Sequence, residues 1–330
     1  MSMMRFARMK QASAALLGAA GRCRGSPQAV LAAAGVRLFH CPVSEQVVGD
    51  IELTDEDINA YDRKGFIRVP QILSASQLEK WRTAVDEAVA ERANSPVTHG
   101  AEEERADNVF LQRVNLWETH ESLATILSNA KEVLGRMACQ LEGISGVRVY
   151  HDRAMYEPAF ADQLPWTVDM PHWSFTSPHA LSIWIALDDI TPESGCMYFL
   201  PGSHKIIEEV AQREGKYRDV GRGKYMRKIF DEVPELLESG KDAMAVDLKA
   251  GDCIFHNGRV VYASGPNMTS SPRRAMTIQL MPFGCTFNGR RSFLTEEEFK
   301  ALKVGDSLDD DKSHPILYTV PEEQDTSSSA

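Results

Sequence analysis

The chain has 330 residues, 43% hydrophobic and 25% charged, the make-up of an ordinary globular protein long enough for one large domain or two small ones. No apolar run approaches the ~18 residues needed to span a bilayer. A net charge of −11 argues against a general nucleic-acid binder, which needs cationic surface to displace counterions.

The charge is uneven. Residues 1–44 contain Arg5, Arg8, Lys10, Arg22, Arg24 and Arg37 and no Asp or Glu, and they are rich in Ala and Ser. A basic, acid-free, Ala-rich leader fits a mitochondrial transit peptide and a matrix location. Two other readings stand beside it: a secretory signal with ASAALLGAA as its apolar core, and a disordered extension. Cleavage fits near VRLFHCPVS. Six cysteines, Cys23, Cys41, Cys139, Cys196, Cys253 and Cys285, are scattered without a CxxC pair. They read as free, mostly buried thiols in a reduced compartment.

In chain order, LTDEDINAYDRKGFIRVPQIL (53–73) begins with Thr54 as an N-cap and an acidic first turn, then passes Gly65 into a short strand, FIRVP. Residues 74–94 place Leu78, Trp81, Val85 and Val89 at helical spacing. Residues 121–141 repeat the pattern with Leu123, Ile126, Leu127 and Leu134. From about 146 the chain becomes a series of short β-rich runs, GVRVYHDRAMYE, LSIWIALDD, CMYFLPGSH, MAVDLKAGDCIFHN and RRAMTIQLMPF, separated by Gly, Pro, Asn and Ser. Helices first and antiparallel strands after predict an α+β protein with a jelly-roll or barrel core and flanking N-terminal helices. The domain is expected over 45–303. Within it, the charged stretch 206–243 reads as an insertion of the kind that lids an active-site mouth. Its basic run GRGKYMRK (221–228) reads as a solvated face or as a contact for an anionic partner such as a CoA phosphate or RNA. Residues 304–330, acidic and poor in apolar side chains, are expected to form a mobile tail.

The blocks DRKGFIRVPQIL, QRVNLWE, ALDDITPESGCMYFLPGSHK, AGDCIFHNGRVVYASGPN and SPRRAMTIQLMP resemble the phytanoyl-CoA dioxygenase family of the Fe(II)/2-oxoglutarate dioxygenase superfamily, and they occur in the family's order over roughly residues 53–283. The resemblance implies a double-stranded β-helix of the jelly-roll type. In active members it also implies Fe(II), 2-oxoglutarate and O₂ chemistry that hydroxylates a small molecule or an acyl-CoA. The family's iron is held by two histidines and one carboxylate on one side, which leaves open positions for 2-oxoglutarate and O₂.

Laid on this sequence, the family's His-x-Asp pair falls on Thr167-Val168-Asp169, two residues that share a face if the strand continues. The distal histidine falls on Tyr262 in VVYASGPN. Asp169 alone is retained, in a degenerate metal site with Thr167 and Tyr262. The resemblance further implies cofactor contacts for Ser264 and Arg273, the guanidinium holding the far carboxylate of 2-oxoglutarate. No catalytic residue is assigned. One carboxylate, one alcohol and one phenol make a poor Fe(II) site. Asp169 equally suits an acceptor of hydrogen bonds from Thr167, Tyr262 or a backbone N–H, and Arg273 with Arg274 also suits an ordinary strand start.

Substitute ligands are few. His256 lies six residues before Tyr262, roughly 20 Å along an extended strand, and reads as structural. His172 lies roughly 10 Å past Asp169 on the opposite face, unless the chain turns at Pro171. His151 reads as core or edge, and His204 as part of the family's structural signature; His179 carries no role.

Two functions follow. One is a pseudoenzyme, a scaffold in a mitochondrial complex or a sensor of a carboxylate metabolite. The other is an active Fe(II)/2-oxoglutarate dioxygenase acting on a small molecule or acyl-CoA through an altered metal shell. Chemistry without a metal, as in a lyase or esterase, finds no nucleophile–base constellation in the sequence.

Overall fold

The computed structural model describes residues 51–93, 111–215 and 228–321. The leader at 1–44, all but the last residue of the basic run, and residues 322–330 lie outside the described residues. Among the described residues no helix is long and apolar enough to cross a membrane.

Three helices precede or interrupt the first strands. Helix α1 (Asp55–Lys64) starts where Thr54 and Asp57 exchange hydrogen bonds in a capping box, and it stops at Gly65, whose φ of 83° suits a residue without a Cβ. Helix α2 (Ala75–Ala93) buries Leu78, Trp81 and Val85, as the spacing predicts, while Val89 is half-buried. Helix α3 (Glu121–Glu142) is capped by His120, whose ring accepts from the Leu123 N–H at 3.4 Å, and it buries the four apolar residues expected of it.

The strands are β1 (Phe66–Val69), β2 (Leu111–Val114), β3 (Gly146–Glu157), β4 (Leu181–Ala186), β5 (Met197–Phe199), β6 (Met244–Val246), β7 (Cys253–Asn257), β8 (Tyr262–Ser264), β9 (Arg273–Pro282) and β10 (Ile316–Thr319). They form two antiparallel sheets. The larger runs β1-β7-β4-β9-β3-β10, with β2 also paired to β3; the smaller runs β6-β5-β8. Phe66, Trp184 and Ile254 from the large sheet meet Met197, Phe199 and Tyr262 from the small one in a shared core. The rings of Phe66 and Phe199 stack at 4.4 Å across it. This is the jelly roll of an α+β protein.

Two expectations change. The stretch from 304 is not all tail: β10 pairs with β3, and Leu308, His314 and Leu317 are buried. The apolar residues of ILYT are few, but α3 and β3 supply the surface that covers them. The insertion also starts earlier than 206 and is helical where described, with α4 (Ser203–Glu214), α5 (Lys228–Glu232) and α6 (Glu235–Glu238). The SH end of the expected strand CMYFLPGSH therefore opens a helix. Ile207, Val210, Ile229 and Leu236 of these helices, with Val233 between the last two, pack in one cluster with Val168, Leu200 and Val261.

Candidate active site

Thr167 and Tyr262 meet. They form a single antiparallel bridge, Thr167 N–H to Tyr262 C=O at 2.8 Å and Tyr262 N–H to Thr167 C=O at 2.9 Å. The expected strand through Asp169 does not continue. The chain enters a 3-10 turn over Met170–His172, with Pro171 early in it. That turn returns His172, whose Nε2 lies 3.5 Å from Thr167 Oγ1.

Asp169 is buried and points to the same place. Its Oδ1 accepts from Tyr262 Oη at 2.6 Å, and its Oδ2 accepts from Ser182 Oγ at 2.6 Å. The hydrogen bond from Tyr262 was one of the sequence expectations. Burial pushes the Asp169 carboxyl up, but nearby His256 and Arg153 and the two hydroxyls outweigh it and hold the group below its ordinary range.

His256 corrects the sequence reading. Its Nε2 is 3.9 Å from Asp169 Oδ2, and its ring is 5.3 Å from that of Tyr262. Extended-chain distances fail here because the chain leaves the large sheet after Asn257, turns with Val260 N–H bonded to Asn257 C=O, and enters the small sheet at Tyr262. The two residues thus face each other across the roll. Burial keeps the His256 imidazole below its ordinary range.

Asp169, His256 and Tyr262 line a pocket of about 470 Å³, part of it open to solvent, together with Arg153, Ser264, Arg273 and Gln279. Trp184, Met155 and Leu164 give it an apolar wall. Ser264 Oγ accepts from the Leu164 N–H at 3.2 Å, so it fixes the loop that closes one side. Arg273 is buried, with its guanidinium 5.4 Å from the Trp184 ring and its Nη2 donating to Glu157. Glu157 and Arg273 are directly opposed in the β3–β9 ladder.

Among the described residues, the other histidines do not line the pocket. His204 packs under Gly65, where a Cβ would come within 2.5 Å of its ring, and burial lowers it to about 4. His151 lies in the core 4.0 Å from the Phe293 ring, and His179 sits beside Glu142.

The sequence reading missed Ser182, Glu157 and Arg153. The strand pattern marks the position of each but not the partner it meets. Ser182 is the one polar residue in LSIWIA, and Arg153 and Glu157 share the two-residue period of one strand face.

The donor set does not fit Fe(II). Each oxygen of Asp169 is already bonded to a hydroxyl, and Thr167 and Tyr262 bring neutral oxygens. Among the described residues no group of three or more His, Cys, Asp or Glu side chains could hold a metal ion. Nor does Arg273 present a free guanidinium to 2-oxoglutarate, since Glu157 has taken one of its nitrogens.

The sequence model of phytanoyl-CoA dioxygenase (PhyH) matches residues 61–275. An ectoine dioxygenase of Nocardia farcinica is 24% identical over 231 residues, 67% of this chain and 76% of its own length. Among solved structures, the α-ketoglutarate-dependent carbocyclase SnoK from nogalamycin biosynthesis superposes with a TM-score of 0.65 at 23% identity, over 81% of this chain and 97% of that one. The epimerase SnoN, solved with Fe3+, α-ketoglutarate and nogalamycin RO, gives 0.63 at 22% identity, over 80% and 98%. Those structures share the fold. With the family's sequence pattern running through both sheets and the pocket between them, this chain belongs to the phytanoyl-CoA dioxygenase family.

Proposed function

We propose that this chain is a catalytically degenerate member of its family, an iron-free jelly roll that serves in mitochondria as a scaffold or as the sensor of a small metabolite. The observation that carries the reading is the closed hydrogen-bond set around Asp169, with Tyr262 on one oxygen and Ser182 on the other. A carboxylate so satisfied gains little from a metal that must displace two short hydrogen bonds, and at positions 167 and 262 such a metal meets hydroxyls where the family resemblance puts imidazoles. An anaerobic titration of the purified protein with Fe(II) and 2-oxoglutarate tests this. The expected result is no visible charge-transfer band, and a saturable band at micromolar iron overturns the reading.

A second reading has one observation in its favour. His256 Nε2 lies 3.9 Å from Asp169 Oδ2, and His172 stands beside Thr167. These imidazoles would be the substitutes in an active dioxygenase that hydroxylates a small molecule or acyl-CoA. In that case the band appears in wild type and is lost in His256→Ala.

The mitochondrial part of the proposal rests on the basic, acid-free leader. A fluorescent fusion of the whole chain should reach the matrix, and deletion of residues 1–44 should leave it in the cytosol. Matrix delivery without the leader would sink this part. A matrix location also sets the partners to look for, a small-molecule ligand or a mitochondrial protein complex.

A further inference from the structure

The guanidinium of Arg273 is 5% exposed and the carboxylate of Glu157 is 1% exposed. Their strands place them directly opposite each other, so the pair is built into the register of the sheet. Gly195 makes room for it. A Cβ there would come within 3.1 and 3.3 Å of the Glu157 oxygens and 3.0 Å of the Gly265 carbonyl. The Gly195 φ of 84° is one that other residues rarely adopt.

A guanidinium chelates a carboxylate through Nε with Nη2, or through Nη1 with Nη2. Nη2 belongs to both pairs, and it is the nitrogen Glu157 holds. Whichever pair an incoming carboxylate used, it would share Nη2 with Glu157 and lie against a like charge in a buried setting, where repulsion is poorly screened. Arg273 Nε and Nη1 and Glu157 Oε1 are buried without hydrogen-bond partners in the described structure, so the ion pair leaves donors that remain able to serve a weaker, uncharged acceptor.

Charge points the same way. Two guanidiniums, Arg153 and Arg273, and the carboxylate of Asp169 line the pocket, and Glu157 backs it. The fixed charges cancel. A dianion entering this space would leave two negative charges without compensation.

We propose that Glu157 is a specificity-determining residue: a tethered carboxylate that occupies Arg273, excludes the dianionic 2-oxoglutarate, and leaves the pocket to small ligands of no net charge. The inference deepens the reading above and rests on it in one respect, that no metal is present to offset the charge of a dianion.

The test is calorimetric titration of the full chain with 2-oxoglutarate in EDTA, comparing wild type with Glu157→Gln, which keeps the shape and removes the charge. The expected result is binding at least about tenfold tighter in the variant, a difference of roughly 1.4 kcal/mol, and its loss when Arg273→Gln is added. Equal affinities overturn the assignment. Should Glu157→Gln fail to fold, wild type still decides, because saturable binding of 2-oxoglutarate at low micromolar concentration in EDTA contradicts exclusion. Iron dependence is read separately, in the anaerobic titration. A failure of the iron-free reading therefore shows there, and a failure of the Glu157 assignment shows in EDTA.

Discussion

The Tyr262 hydroxyl carries two tests at the scale of single residues. Tyr262→Phe removes the donor to Asp169 Oδ1 and leaves a buried carboxylate oxygen short of its partner. Such a loss costs about 1–3 kcal/mol, more than the phenyl ring recovers by avoiding its own desolvation. Urea unfolding should show a lower midpoint with an unchanged slope. Tyr262→His combined with Thr167→His goes the other way on iron. It frees Oδ1 and puts imidazoles at the two positions where the resemblance lays the family's histidines, so an Fe(II) chelate band absent from wild type should appear. If the double variant folds and still shows no band, the pocket has closed beyond what two ligands can restore, and Ser182 on Oδ2 becomes the next group to replace. Of this site, Asp169, Tyr262, Ser264 and Arg273 were legible in the sequence only through the family resemblance, which lays its motif on them. Ser182, His256 and Glu157 were not, because each reaches its partner across strands. Asp169 and Ser182 are 13 residues apart, and Glu157 and Arg273 are 116 apart. No local pattern reports such distances.

At the scale of elements, the strands that could be read were the long and apolar ones. Strand β3 covers GVRVYHDRAMYE with its expected ends, and β9 covers all but the last residue of its run. Strand β10 was hidden by its setting, directly after the acidic DDDKSHP, where composition suggests a solvated tail. Its contacts make a prediction with an unusual sign. Gly135 lies inside α3, where Gly→Ala on an exposed helix surface gains about 1 kcal/mol. Here an added Cβ would stand 2.2 Å from the Cβ of Tyr318, near the centre of β10. Overpacking of that kind costs typically about 1–3 kcal/mol and cannot be relieved without moving the strand. Gly135→Ala should therefore lower the melting temperature, and truncation after Lys303, which removes Leu308, Leu317 and the β10 ladder, should lower it further. An unchanged melting temperature in the truncation would show that β10 contributes nothing to the fold.

For the molecule as a whole, a chain of net charge −11 gains repulsion as its carboxyls ionise, and two neighbouring ones, Asp152 and Glu118, ionise late, each raised to about 7. Asp152 on β3 is fully buried behind the 3-10 turn at Leu116–Glu118, where the Trp117 N–H reaches its Oδ1 at 3.3 Å. Burial raises this carboxyl to about 7, against the pull of the Trp117 and Leu116 N–H groups and Arg92. In the unfolded chain the same group loses its proton near ~4. Between those values the folded state holds more protons than the unfolded state, so stability falls as pH rises from about 4 to about 7 and levels off above. Asp152→Asn keeps the shape and an acceptor for Trp117 but does not titrate. Its unfolding free energy should run flatter over this window, and it should overtake wild type toward the alkaline side by at most about 4 kcal/mol. Parallel urea titrations at pH 5 and pH 8 decide the point. A variant with the same pH slope as wild type would mean that Asp152 is already ionised in the fold, with a counter-charge in the turn that binds it.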